Sequence, residues 1–404
     1  MKCRFCKTKL NDIFVDLVNA PASNSYLTKE QLDEPEVFYP LKIYVCHNCK
    51  LVQIDEYKKS NDIFDKNYAY FSSYSTSWLA HAKNYVEMII TKLSLNKDSL
   101  VTEIASNDGY LLQYFKEKNI SCLGVEPTNS TAKVAREKGI EVIEDFFGSL
   151  LAQKLKKSDL ILGNNVLAHI PDINDFVKGL KIALKKNGTI TMEFPHLLKL
   201  IEENQFDTIY HEHFSYFSFY TVKQIFEQQG LKLYDVEKLP THGGSLRIYA
   251  THKENDIKTS QNVEQLLKEE QSFGLFDLDI YKGFQEKANI VKYNLLSFLL
   301  KAKKENKRVV AYGAAAKGNT LLNYAGVKND LIEFVVDKSP HKQDKYLPAS
   351  HIPIVSEENI SELKPEYLLI LPWNIKDEVI KQLSYIKEWN GKFVVAVPEL
   401  KVIS

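Results

Sequence analysis

The 404 residues carry 52 basic and 52 acidic side chains, a formal net charge of zero and 44% hydrophobic residues, so the chain is long enough for two or three domains with cores of their own. The balanced charge argues against a dedicated nucleic-acid binder, which carries a basic excess, and no apolar run reaches the length that spans a bilayer. The start, Met1-Lys2-Cys3-Arg4-Phe5-Cys6, lacks the apolar centre of a signal peptide; the expectation is a cytoplasmic protein, monomeric or homodimeric, with neither nucleic acid nor membrane as partner.

Four of the five cysteines form two Cys-x-x-Cys pairs, Cys3 with Cys6 and Cys46 with Cys49. Each pair offers two thiolates from one tight knuckle, and two knuckles complete the tetrahedral four-sulfur shell of a structural zinc site. Disulfides or free thiols are the rival reading, which a reducing cytosol disfavours. A closed shell leaves no position for substrate, so the metal is expected to be structural. Strands over 14–18 and 42–45 would support the knuckles, and His47 is expected to face solvent or lie beside the site, and not to be a ligand. This module is assigned to residues 1–75. It ends in Tyr68-Ala-Tyr70-Phe71-Ser72-Ser73-Tyr74, an aromatic run that packs a domain joint or lines a polar cleft.

The pattern then becomes that of an α/β domain, assigned to 76–260. A helix over 78–93 precedes a strand over 100–104, the turn Ala105-Ser106-Asn107-Asp108-Gly109, a helix over 110–118, and a strand over 121–125 that ends in Glu126-Pro127. An acid at that distance meets ribose hydroxyls in nucleotide-binding folds. The turn holds a single glycine, too few for a backbone that closes on a pyrophosphate. S-adenosylmethionine has no phosphate, and Glu103, Ala105, Ser106, Asn107 and Gly109 can receive its amino-acid end. Later strands end at Asp145-Phe146, suited to an adenine, at Asn164-Asn165, and at Pro195. The alternative is an α/β domain that binds nothing.

An insertion assigned to 196–250 carries Tyr210-His211-Glu212-His213-Phe214-Ser215-Tyr216-Phe217-Ser218. Imidazole, carboxylate and phenol within four residues can move a proton and stabilise an oxyanion. The bland reading is a polar loop pinned by its aromatics. Downstream, His242-Gly243-Gly244-Ser245-Leu246-Arg247 reads as an anion-binding turn or as a plain hairpin. A helical stretch over 261–306 leads to a second α/β unit, assigned with it to 261–404. Gly313-Ala-Ala-Ala316-Lys317-Gly318-Asn319 opens a helix like a phosphate-binding turn, and Asp337 and Lys342 follow on the same expected edge of a buried parallel sheet. A nicotinamide dinucleotide site is the alternative there, without the full glycine fingerprint.

The four cysteines, Glu103 to Gly109, Tyr210 to Ser218, His242 to Arg247 and Tyr312 to Asn319 together resemble, in order and over the whole chain, the nucleotide-sugar C-methyltransferases of deoxysugar biosynthesis. The resemblance implies an α/β protein with a small N-terminal zinc-binding module, a central Rossmann-like S-adenosylmethionine methyltransferase domain and a second, C-terminal Rossmann-like domain that holds the nucleotide of the substrate. It also implies methylation at carbon 3 of a 4-keto-deoxysugar, with His213 as base and Tyr210, Glu212 and Tyr70 in the active site, Tyr74 being the other match for Tyr70. His211 lies beside the motif. Substrate contacts are expected from His242, Gly243, Gly244, Ser245, Arg247, Lys317, Asn319, Asp337 and Lys342. Residue chemistry alone leaves open a sugar O-methyltransferase, a nicotinamide-dependent keto-sugar oxidoreductase and a zinc-ribbon nucleic-acid module.

Overall fold

The computed structural model describes residues 1–58 and 71–404. Three sheets organise it. The central one is built where apolar strands alternate with amphipathic helices: β4 (Leu100–Ile104), β5 (Ser121–Val125), β6 (Glu141–Ile143), β7 (Ser158–Asn164) and β8 (Leu184–Pro195) pair in parallel. A hairpin of β10 (Leu231–Leu239) and β11 (Ser245–His252) closes the far side, with β11 antiparallel to β8, and the order is β10-β11-β8-β7-β4-β5-β6. The expected insertion over 196–250 is therefore shorter. Its last two strands belong to the central sheet, and the chain that leaves the sheet runs from 196 to 230.

What leaves the sheet joins another. β9 (Ser215–Tyr216), inside the His-Glu-His segment, pairs with β3 (Val52–Ile54), which pairs with β2 (Tyr39–Val45) and through it β1 (Asp12–Ala20). The zinc-module sheet thus sets the register of the motif, Val52 opposite Tyr216 and Gln53 opposite Ser215.

The third sheet has the order β14-β13-β12-β15-β16-β17, from β12 (Val309–Tyr312), β13 (Val335–Val336), β14 (Ile354–Val355), β15 (Tyr367–Ile370), β16 (Lys392–Val395) and β17 (Lys401–Ile403). It departs from the expected all-parallel sheet at β17, which is antiparallel to β16. The turn between these strands is too short for the crossover that a parallel pair requires.

The helical stretch from 261 breaks at Gly274 (φ +98°) and Gly283 into helices Gln261–Phe273, Asp279–Lys282 and Phe284–Lys304. The last buries Phe284, Ala288, Val291, Leu295, Leu299 and Ala302 along one stripe, and Phe284 stacks on Phe14 of β1 at 4.5 Å. One apolar core consequently runs from the first sheet into the third. Among the described residues no helix is long and apolar enough to cross a membrane.

Candidate active site

The two cysteine knuckles have the same local design. The Lys7 amide donates to the Cys3 carbonyl (3.0 Å) and the Lys50 amide to that of Cys46 (2.9 Å), each lysine turning through φ +62°. This aims both thiols of a pair at one point. The sulfurs of Cys3, Cys6, Cys46 and Cys49 lie within 4.8 Å of one another, and the Gln53 side-chain amide donates to Cys3 Sγ at 3.2 Å. Four convergent soft ligands without a disulfide match the donor set of structural zinc. His47 is exposed, as expected.

A cavity of about 940 Å³ opens between the strand ends of the central sheet, the His-Glu-His segment and the third sheet's first helix, Ala316–Ala325. It is large enough for two ligands at once. On the central-sheet side its wall contains Ala105, Asn107, Glu126, Pro127, Asp145, Phe146, Asn164 and Asn165. The turn after β4 takes left-handed backbone at Ala105 (φ 57°), Asn107 (φ 50°) and Gly109 (φ 74°), so it makes a glycine-type turn with one glycine. Asn tolerates that region; at Gly109 a side chain would meet Ile140 at 2.5 Å. Glu126 is buried, and its two oxygens accept the amides of Asn107 (2.9 Å) and Thr128 (3.0 Å), which leaves each a lone pair for a hydroxyl. Asn165 Oδ1 is buried in the wall without a partner. These groups fit an uncharged nucleoside with an amino-acid tail. Glu103, Ser106 and Gly109 lie behind this wall; burial, with Asp108 and Glu126 nearby, pushes the Glu103 carboxyl well above its ordinary pKa.

Across the cavity stand Tyr210, Glu212, His213, His242, Lys317 and Lys342. His213 Nδ1 donates to the Thr208 carbonyl (3.1 Å), which fixes the proton on Nδ1 and the lone pair on Nε2. The ring packs on Tyr210 (centroids 4.0 Å apart) and edge-on to His169 (4.8 Å). Burial, with His169, His242 and Lys317 around it, holds the imidazole neutral, well below its ordinary pKa. Glu212 is buried and receives the Asn24 side-chain amide on both oxygens (3.0 and 2.8 Å); burial pushes its pKa up to about 7. His211 turns the other way, donating to the Pro40 carbonyl (3.2 Å) beside Tyr39. His242, at φ 54°, bonds Asn165 through Nε2 (2.9 Å) and packs on Trp78, while burial pushes its pKa down to about 4. Lys317 donates to Asn374 (2.6 Å) over the Trp373 ring.

Six expected substrate contacts fall elsewhere. Arg247 is buried against Glu193 (3.1 Å) and Glu237 (3.0 Å), because a desolvated guanidinium needs carboxylate partners and finds both in the sheet. Gly243 (φ +85°) and Gly244 (φ +113°) serve close packing: a Cβ would stand 2.5 Å from Trp373 and 2.7 Å from Lys199 respectively. Ser245 Oγ donates to the Thr241 carbonyl, and Asn319 to that of Ser23 (2.6 Å). Asp337 accepts the amides of Ala314 and Ser339. Tyr70 lies outside the described residues, and Tyr74 is exposed against Phe71.

Sequence reasoning missed Asn24, Trp78, Tyr110, His169, Thr208 and Asn374 in the same wall. Only His169 had a usable signal, a titratable side chain in the loop that follows β7 at the cofactor edge. Its Nδ1 donates to the Glu212 carbonyl at 2.8 Å.

Residues 3–64 match a zinc binding domain, 78–236 a methyltransferase domain and 240–398 a C-methyltransferase C-terminal domain. Over 410 residues, covering 100% of this chain and 97% of the other, the sequence is 33% identical to C-methyltransferase NovU of Streptomyces niveus. The chain belongs to the C-methyltransferase family. This enzyme is an S-adenosylmethionine-dependent methyltransferase with a structural zinc module held by the four cysteines. Among solved structures it is similar to the PH0226 protein of Pyrococcus horikoshii OT3 (16% identity, 46% of this chain and 95% of that one, TM-score 0.38). It is also similar to magnesium protoporphyrin IX methyltransferase ChlM of Synechocystis PCC 6803 (13% identity, 43% and 82%, TM-score 0.35).

Proposed function

We propose that this methyltransferase acts on carbon 3 of a nucleotide-linked 4-keto-deoxysugar, with His213 as the base that forms the enolate. The observation that carries the reading is the Nδ1 bond of His213 to the Thr208 carbonyl, which presents a neutral Nε2 lone pair in a cavity that also holds the cofactor-side wall. On that side Glu126 would take the ribose hydroxyls, Asp145 and Phe146 the adenine, and Asn107, Asn164 and Asn165 the amino-acid end. Bound S-adenosylmethionine supplies an electrophilic methyl group.

The ketone at carbon 4 acidifies the neighbouring carbon-hydrogen bond. His213 Nε2 takes that proton, and the electron pair spreads onto the ketone oxygen, which Tyr210 can receive as hydrogen-bond donor. Glu212, near half-protonated at neutral pH, is a second donor in the same wall. The nucleotide end would meet the N-terminus of helix Ala316–Ala325, where Lys317 and Lys342 stand. Lys317 is among the charges that depress His213, so a phosphate paired with Lys317 offsets that part of the depression and returns basicity to His213 when substrate is in place. We assign the three roles, zinc module, cofactor domain and nucleotide-sugar domain, to 1–75, 76–260 and 261–404.

The test is proton exchange in heavy water. With a cofactor analogue that cannot transfer methyl, wild type should wash out the carbon 3 proton of nucleotide-linked keto sugars, and His213→Ala should not. With the natural cofactor, His213→Ala turnover should fall by roughly 10² to 10⁴ while both ligands still bind. Equal exchange by the two proteins removes His213 as base. Methyl label recovered on a sugar oxygen removes the carbon mechanism.

A further inference from the structure

The segment from Ser23 to Tyr26 belongs to the zinc module by sequence, yet it contacts the other two walls of the cavity. Asn24 donates to Glu212 Oε1 and Oε2 at 3.0 and 2.8 Å. The Tyr26 hydroxyl donates to the Ala314 carbonyl at 2.6 Å and shares the same proton, more weakly, with Asn24 Oδ1 at 3.3 Å. Asn319 donates to the Ser23 carbonyl at 2.6 Å, and Lys342 Nζ sits over the Tyr26 ring at 5.5 Å. Ala314 and Asn319 flank the start of helix Ala316–Ala325. A hydrogen-bonded line therefore runs from the turn before that helix, through two side chains of the N-terminal module, to the carboxyl of Glu212.

We propose that Asn24 is a positioning residue for Glu212, and that Ser23 to Tyr26 strap this carboxyl to the turn that receives the anionic end of the substrate. The proposal rests on Glu212 being an active-site group, as argued above. The physical basis is the acceptor set of a buried carboxyl. Glu212 is a 6% exposed residue with two carboxyl oxygens, and among the described residues the hydrogen bonds to them come from Asn24. Without that amide the carboxyl has lost the donor that holds both its oxygens in one orientation, and it can swing toward or away from the substrate. Tyr26 in turn holds Asn24 with its amide nitrogen forward. Because Tyr26 is anchored on the Ala314 carbonyl, a shift of the helix start on binding a phosphate would be felt at Glu212.

The donor also sets when Glu212 titrates. An N–H favours the carboxylate form, so Asn24 works against the burial that raises the pKa. Among the described residues, the other groups that face Glu212 are Lys58 from the segment after β3, which favours the carboxylate, and Tyr26. The His169 ring donates to the Glu212 backbone carbonyl.

The experiment uses the full zinc-loaded chain. The carboxyl of Glu212 is followed by carbon-13 nuclear magnetic resonance against pH, its signal identified by its loss in Glu212→Gln, with no substrate present. Asn24→Ala should move the midpoint up by about one pH unit, the equivalent of one charge-assisted hydrogen bond at the weaker end of the range. Asn24→Asp, which keeps the shape and replaces the amide protons by a second acid, should move it further in the same direction. Turnover of the keto sugar should fall in kcat by about tenfold in Asn24→Ala, with KM little changed, and the limb of the pH profile that follows Glu212 should move with its midpoint. Tyr26→Phe should give a smaller loss of the same kind. An unmoved Glu212 midpoint in both Asn24 variants overturns the proposal, as does a moved midpoint with wild-type kcat. If wild type turns over no keto sugar while the midpoint still moves, the substrate assignment fails and the positioning of Glu212 by Asn24 stands. Asn24→Asp decides the matter should Asn24→Ala lose its zinc or its fold.

Discussion

The buried carboxyl of Glu212 makes the fold itself sensitive to pH, and Glu212→Gln isolates that sensitivity. Its folded pKa is pushed up to about 7 by burial, against an ordinary 4.5. A carboxyl raised in this way binds its proton more tightly in the folded chain than in the unfolded one. Its contribution to stability is therefore complete below about pH 4.5 and is lost as pH rises through 7. At about 1.4 kcal/mol per pH unit, the gap amounts to roughly 3 kcal/mol, of which about 2 kcal/mol falls between pH 5.5 and 7. The glutamine variant lacks this titration and keeps the shape. Urea midpoints of the two zinc-saturated proteins, taken from pH 5.5 to 8, should thus diverge as pH rises, wild type losing ground to the variant up to about pH 7 and then running parallel. Parallel behaviour across the whole range would mean that Glu212 titrates alike folded and unfolded, and the account of its burial would be wrong.

Three further outcomes test the remaining structure. Arg247→Ala should destabilise the chain by about 1.5–3 kcal/mol, because the fully buried Glu193 loses its guanidinium partner while His81 (2.9 Å) and Thr241 (2.9 Å) still hold it, and calorimetry on the folded protein should find cofactor affinity unchanged. Zinc chelation or Cys46→Ser should unfold the N-terminal sheet, with up to about 10 kcal/mol at stake for such a module, and should abolish activity because β3 carries β9; a metal-free protein with full turnover would contradict this. Gly243→Ala puts a methyl 2.5 Å from Trp373 on a left-handed backbone and should lower stability by about 1–3 kcal/mol, measurable as an earlier thermal transition.

Some of this was determined by the sequence alone. Two Cys-x-x-Cys pairs define their ligand geometry locally, since each knuckle closes within a few residues, and the four sulfurs do converge. The ends of parallel strands lie on one edge of a sheet whatever the loops do, so Ala105, Asn107, Glu126, Asp145, Asn164 and Asn165 could be named for the cavity wall from chain order. The His-Glu-His motif was equally visible as a dense local run of proton-handling groups. The tertiary structure decided which side chains of such runs turn inward. His213 faces the cavity and His211 the first sheet because β9 pairs with β3 in one register, and a register is a long-range choice. Arg247 looked like an anion ligand, and became a sheet ion pair once β11 set it beside Glu193 and Glu237. Asn24 carried no motif at all. Its place against Glu212, 188 residues away, follows from the apolar core shared by the first and third sheets, which no local pattern encodes.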